Sequence, residues 1–288
     1  MSAKFGPAGN SDAFSAVHKS SLAAPQWIAE QGLDCYEYQC GKGVHVGEDT
    51  ARRVGENARK HGISLSLHAP YFINLANPDP DSLQKTIGYI TSACLVASQM
   101  GASRVVIHSG ALMKRTRREA LDTALRSLRE VIRTCDGQGF GHIALCPETM
   151  GKINQLGDLE EVLELCTLDE RLIPCIDFGH LYARSLGADD GAEAFGRMLD
   201  RVESVLGQSR ASVFHSHFSH IQFTPGGGEK CHRTFDDDDG YGPDWAPLAR
   251  AIARRGWSPT FICESAGTQA KDALTMQRIY QEVLTAQG

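Results

Sequence analysis

The chain has 288 residues, 42% of them hydrophobic, and a formal net charge of −6. That length suits one β/α barrel, which commonly runs to about 250 residues, and the balance excludes both a disordered tail and a uniformly basic nucleic-acid binder. Nine cysteines with no CxxC pair do not make a disulfide scaffold, and no apolar run reaches the ~20 residues that span a bilayer. A reducing, cytoplasmic setting without membrane contact is expected.

In chain order, strand-like runs fall at Ala3–Gly6, Leu33–Gln39, Ile63–His68, Arg104–His108, His142–Glu148, Leu172–Asp177, Ser212–Gln222 and Thr260–Glu264. Amphipathic stretches lie between them. In Thr116–Thr134, for example, Ala120, Leu121, Ala124, Leu125, Leu128, Val131 and Ile132 recur at helical spacing. Gly101 and Gly256 follow two such stretches as C-caps. Eight strands alternating with helices predict a parallel α/β sheet closed into a single (β/α)8 TIM barrel, with residues 1–288 forming one domain. An open doubly wound sheet is the alternative. It would need a Gly-rich phosphate turn, for which residues 6–14 (GPAGNSDAF) are a poor match. Two connections are enlarged, at residues 69–82 (APYFINLANPDPDS) and 224–245 (TPGGGEKCHRTFDDDDGYGPDW).

Metal-type ligands arrive one strand at a time: His68, His108, Glu148, Asp177 with His180, His217, and Glu264, at successive gaps of 40, 40, 29, 40 and 47 residues. Each sits at or just beyond a strand end, where a β/α barrel builds its active site. Imidazole and carboxylate together suit zinc or manganese. Any one of these histidines or acids alone reads as a hydrogen-bonded or ion-paired structural residue; recurrence at equivalent strand ends is what argues for metal. In FHSHFSH the residue nearest the strand end is His217, leaving His215 and His220 as structural or substrate-contacting. Asp236 to Asp239 read as a solvated acidic run. His18, His45, His61 and His142 carry no supporting pattern. Three carboxylates and four histidines exceed one tetrahedral zinc, so at least two ions are expected, an arrangement that favours displacement at phosphorus.

The motifs HAPYFINLANP at 68–78, VVIHSG at 105–110, PET at 147–149, CIDFGH at 175–180, HFSH at 217–220 and ICESAG at 262–267 resemble, in order along nearly the whole chain, the endonuclease IV family of abasic-site repair enzymes. The resemblance implies a zinc-dependent barrel of two or three ions, Mn²⁺ or Fe²⁺ being substitutes. It would cut double-stranded DNA 5′ to an abasic site, leaving a 3′-hydroxyl and a 5′-deoxyribose phosphate. It also implies a monomer working at the nucleoid. By the same resemblance His68 and His108 would hold a first ion. Glu148 would bridge it to a second completed by Asp177, His217 and Glu264, and His180 with His232 would hold a third. Glu148 and Glu264 would thereby belong to the catalytic set. Tyr71 matches an aromatic that works in the distorted DNA beside the lesion. The pattern departs where the family has an Asp two residues before the last His. Lys230 stands there, so the third ion is expected to be absent or weakened and the Lys230 amine to meet a phosphate oxygen instead. The competing reading is a sugar isomerase or epimerase, for which Glu148, Asp177, His217 and Glu264 could hold one ion unaided. A third is a catalytically weak binding protein on the same barrel. Lys42, Lys114, Arg115, Lys152, Arg184, Lys230 and Arg233 are the basic residues available near the site face.

Overall fold

The structure is a computed structural model that describes residues 2–287. In chain order the strands are β1 (Lys4–Pro7), β2 (Cys35–Gln39), β3 (Ser64–His68), β4 (Arg104–His108), β5 (Ala144–Glu148), β6 (Cys175–Asp177), β7 (His215–Phe218), β8 (His220–Thr224), β9 (Gly228–Arg233) and β10 (Thr260–Cys263). The helices are α1 (Asp12–Val17), α2 (Ala24–Glu30), α3 (Glu48–His61), α4 (Pro80–Met100), α5 (Arg117–Gly137), α6 (Leu159–Cys166), α7 (Phe178–Arg184), α8 (Gly191–Leu206), α9 (Gln208–Ala211), α10 (Trp245–Arg255) and α11 (Gln269–Gln287). Eight strands pair in parallel in the order β1-β10-β7-β6-β5-β4-β3-β2. The ring closes where Ala8 bridges Glu37 and the Gly9 amide donates to the Glu37 carbonyl at 2.9 Å. The chain is a TIM barrel, as its alternation predicts.

Local chemistry sets the helix ends. Asp79 caps α4 through the Ser82 amide, and Thr116 with Glu119 forms a capping box on α5. Gly101 and Gly256 end α4 and α10 at φ of 72° and 63°, in the left-handed region that favours glycine. Along the strands, Leu65, Leu67, Val105, Ile107, Leu145, Ile176 and Phe261 join the large apolar cluster shared with the helices. Their neighbours alternate to the barrel interior, where Ser66, His68, Glu148, Asp177, His215 and His217 are all buried. No helix among the described residues is long and apolar enough to cross a membrane.

Three expected elements change. The run Ser212–Gln222 is two strands: β7 stays in the barrel, the chain turns at Ser219, and β8 leaves to pair antiparallel with β9. The enlarged segment after the seventh barrel strand is therefore partly an ordered hairpin. The sixth strand shrinks to Cys175–Asp177 because Pro174 has no amide to donate to the ladder. The fifth begins at Ala144, leaving His142 exposed ahead of it.

Phe5 shows where the barrel is tied to its outer layer. It is fully buried, with ring centroids 5.8 Å from Trp245, 5.7 Å from Phe261 and 5.5 Å from Tyr280. Phe5→Ala is expected to cost ~3–5 kcal/mol in urea unfolding, while Val17→Ala, at an exposed site, should leave the midpoint unchanged.

Candidate metal centre at the mouth of the barrel

The centre is organised on Glu148, at the last position of β5 and 1% exposed. Its Oε2 lies 3.3 Å from His68 Nε2 and 3.3 Å from His108 Nε2. Its Oε1 lies 2.9 Å from His217 Nδ1 and 3.6 Å from His180 Nδ1. One carboxylate thus faces two pairs of imidazoles with different oxygens. Glu264 reaches in just beyond β10, 3.6 Å from His217 Nδ1 and 4.0 Å from His232 Nε2. Asp177 caps α7 with one oxygen, accepting from the His180 amide at 2.7 Å.

Four overlapping groups have donor atoms within 4.8 Å of one another: His68, Glu148 and His217; Glu148, Asp177, His217 and Glu264; His180, His232 and Glu264; and, deeper in the barrel, Cys175, His215 and His217. The register of the parallel ladder brings them together, with His108 opposite Glu148 and Asp177 opposite His217. One nitrogen of each of four rings also meets a neutral oxygen. His68 Nδ1 bonds the Ala69 carbonyl at 2.7 Å, His108 Nδ1 the Tyr71 carbonyl at 3.1 Å, and His180 Nδ1 the Thr149 carbonyl at 2.8 Å. His232 Nδ1 meets Ser219 Oγ at 2.8 Å. Partners of this kind fix the tautomer and ring plane of a ligating histidine.

The residues present fit divalent cations. Asp177 Oδ2 is buried and has no hydrogen-bond partner. It lies 3.3 Å from His180 Nδ1, but that nitrogen directs its hydrogen to Thr149. Burial pushes the Asp177 carboxyl up from its ordinary value. Burial pulls His180 down, yet Asp177, Glu229, Glu148 and Glu264 outweigh it and raise the imidazole to about 9. Burial likewise opposes ionisation of Glu148, and His217, His108 and His68 still hold it well below the usual carboxylate range. A buried carboxylate oxygen without a partner, beside acids and imidazoles shifted this far from their ordinary values, is what a divalent cation would satisfy.

Lys230 is not at the site. The β8–β9 ladder slips by one residue: Cys231 pairs with Gln222 and Glu229 with Phe223, so Lys230 is the extra, exposed residue of a bulge. The bulge puts Glu229, rather than Lys230, on the face of His232. Glu229 Oε2 lies 3.6 Å from His180 Nε2. The close approach needs Gly151, where a Cβ would sit 2.6 Å from Glu229 Cβ and 3.0 Å from His180 Cδ2. The cavity is thus lined by Glu229, a carboxylate that spacing alone overlooks, and not by Lys230. His232, within the enlarged connection 224–245, is held in a paired strand.

The cavity above these groups measures ≈ 700 Å³ and is lined by polar side chains, Asn10, Gln39, Lys152, Gln155 and Gln269 among them. Tyr71 forms part of its wall, stacked on His108 at 5.6 Å and donating to Gln39 Oε1 at 3.1 Å. His215 is buried beneath the centre, and His220 stacks on Phe235 away from it. His18, His45, His61 and His142 lie outside the cavity. Of the basic residues, Lys152 lines the cavity and Lys42 a neighbouring groove. Arg115 and Arg184 donate to loop carbonyls, and Arg233 pairs with Asp237 and Asp239. The acidic run is thus partly ion-paired rather than only solvated. Two residues at the centre escape a reading by motif, Glu229 and the buried Glu37. A signal for Glu37 exists: it is a charged residue at the inward position of β2, between Cys35 and Gln39.

A model of the family described as xylose isomerase-like TIM barrel matches residues 25–281. The uncharacterized protein MJ0133 of Methanocaldococcus jannaschii is 30% identical over 256 residues, 89% of this chain and 90% of that one. A probable endonuclease 4 of Acholeplasma laidlawii is 27% identical over 165 residues, so the match spans 54% of each. Among solved structures, a D-tagatose 3-epimerase-like protein superimposes with a TM-score of 0.73 at 18% identity, covering 99% of both chains. Endonuclease IV from Thermus thermophilus gives 0.66 at 17%, covering 98% of this chain and 99% of that one. At such identities the structural likenesses speak for the fold alone, whereas the family model and the archaeal relative span most of the sequence: this chain belongs to the xylose isomerase-like TIM barrel family.

Proposed function

We propose that the chain is a metal-dependent endonuclease that hydrolyses the phosphodiester 5′ to an abasic site in double-stranded DNA, leaving a 3′-hydroxyl and a 5′-deoxyribose phosphate. The observation that carries this reading is the two-sided engagement of Glu148, with His68 and His108 on one oxygen and His217 and His180 on the other. A one-ion sugar isomerase has no use for the first pair or for His180.

In this reading His68, His108 and Glu148 hold one zinc, and Glu148, Asp177, His217 and Glu264 a second. His180, His232, Glu229 and Glu264 hold a third, or a weaker outer ion. Ions there would supply Lewis acidity, lowering the pKa of water and neutralising charge on the phosphodiester. The chain's own groups bind and orient. Glu148 and Glu264 would be the carboxylates of the catalytic set. Tyr71, 52% exposed at the rim, is placed to pack against the unstacked lesion. Lys152 is the cationic side chain of the cavity wall, set to meet a backbone phosphate. The support from relatives is the probable endonuclease 4 proteins that align over about half their length. The single-ion quartet Glu148, Asp177, His217 and Glu264 keeps a sugar epimerase as the alternative.

Three outcomes are expected. A duplex carrying one tetrahydrofuran abasic analogue should be nicked on the 5′ side with Zn²⁺ or Mn²⁺, and Glu148→Gln should lower the rate by roughly 10²–10³-fold or more. No nicking with either metal, together with turnover of a ketose, would establish the epimerase. In equilibrium dialysis Glu229→Gln should weaken the outermost zinc by roughly 10–100-fold, with Lys230→Ala unchanged; zinc binding unaltered by Glu229→Gln would remove Glu229 from the ligand set. Zinc binding near neutral pH should release about one proton or more per chain, because His180, raised to about 9, is protonated there and must lose its proton to ligate. Calorimetry in buffers of different ionisation enthalpy reads this. Affinity should climb as pH rises toward 9, and binding without proton release would remove His180 from the ligand set.

A further inference from the structure

Below the metal ligands the barrel interior is polar. Glu37, on β2, is fully buried. Its carboxylate accepts from His217 Nε2 at 2.9 Å, His215 Nε2 at 2.8 Å, Ser66 Oγ at 2.9 Å and Gln39 Nε2 at 3.2 Å. On the far side of His215, Arg104 Nη1 approaches Nδ1 at 3.5 Å while Nη2 donates to the Val213 carbonyl at 2.8 Å. A guanidinium only donates, so His215 Nδ1 is an acceptor and its proton sits on Nε2, directed at Glu37.

The same logic fixes His217. An ionised carboxylate only accepts, so the nitrogen facing Glu37 carries a proton. That leaves Nδ1, which faces Glu148 and Glu264, as the nitrogen able to ligate. Among the five histidines of the centre, His68, His108, His180 and His232 are backed by neutral oxygens. His217 instead directs the hydrogen of its rear nitrogen to an anion. Burying a carboxylate is costly unless donors surround it, and a barrel core is ordinarily filled by apolar side chains. The position of Glu37 therefore calls for more than packing.

We propose that Glu37 is a positioning residue of the metal centre. It holds His217 as the Nε2–H tautomer, sets its ring plane, and strengthens Nδ1 as a donor to the divalent ion it shares with Glu148. The Arg104–His215 pair braces Glu37 from below. A carboxylate that merely joined β2 to β7 would do none of this. The inference rests on the metal-centre reading and is independent of the DNA substrate.

The test is Glu37→Gln, read by zinc affinity in chelator competition and by ¹⁵N shifts of histidine-labelled, zinc-loaded protein. Zinc binding should weaken by roughly 10–100-fold, and the His217 signals should lose the single Nε2–H pattern. Unchanged affinity with an unchanged tautomer overturns the proposal. Should the variant fail to fold, wild-type protein decides: zinc on Nδ1 with the proton on Nε2 supports the role of Glu37, and zinc on Nε2 excludes it. A wild-type chain that binds no zinc sinks the metal centre and this inference together. Normal zinc binding without DNA cleavage sinks the nuclease reading alone.

Discussion

Glu148 ends β5 inside a space that water scarcely reaches, and an ionised carboxylate there survives only if donors or cations meet it. Four imidazoles surround it, two beside each oxygen, with His68 and His217 at hydrogen-bond distance. Their placement depends on the parallel register, which sets His108 and Glu148 side by side and likewise Asp177 and His217. A one-residue slip in either pairing would turn a ligand toward the helices and leave Glu148 short of partners. The electrostatic need of one buried group thus constrains the alignment of four strands.

The loops that complete the centre are held by side chains that a charge census would assign to substrate. Arg184 ties the segment after β5 through three carbonyls, and Arg117 pairs with the nearly buried Glu161 while donating to Ile153 and Gln155. Asn74 accepts from the Ala76 and Ala111 amides, which joins the loop after β3 to the loop after β4. Guanidiniums used this way give the ligands a rigid rim. Of the basic residues near the site face, that leaves Lys152 as the one lining the cavity.

Much of the barrel could be read from the chain because its signals are periodic. Strand runs ending in His68, His108, Glu148 and Asp177 recur at unit spacing, and every one of those residues meets another at the mouth. What escaped has physical causes. The seventh run, Ser212–Gln222, carries one unbroken strand pattern, and nothing local marks the turn at Ser219 where β8 leaves the barrel. Glu37 lies in the middle of a strand, two positions short of the end where ligands are sought, and its partners are 178 and 180 residues away. Glu229 was hidden because residues 224–245 read as a loop and the family's spacing points to position 230, whereas a bulge in an unexpected strand turns the neighbouring residue inward.

That bulge separates which side chains a strand contains from which ones face the centre. Moving the extra residue from Lys230 to a neighbouring position would turn an ammonium inward where a carboxylate now stands, with no substitution at all. The charge of the outer shelf is therefore a property of hairpin register as much as of sequence. Descendants of such a barrel could gain or lose an outer cation by shifting a pairing rather than by replacing a ligand, and column-by-column comparison would record the change in the wrong residue.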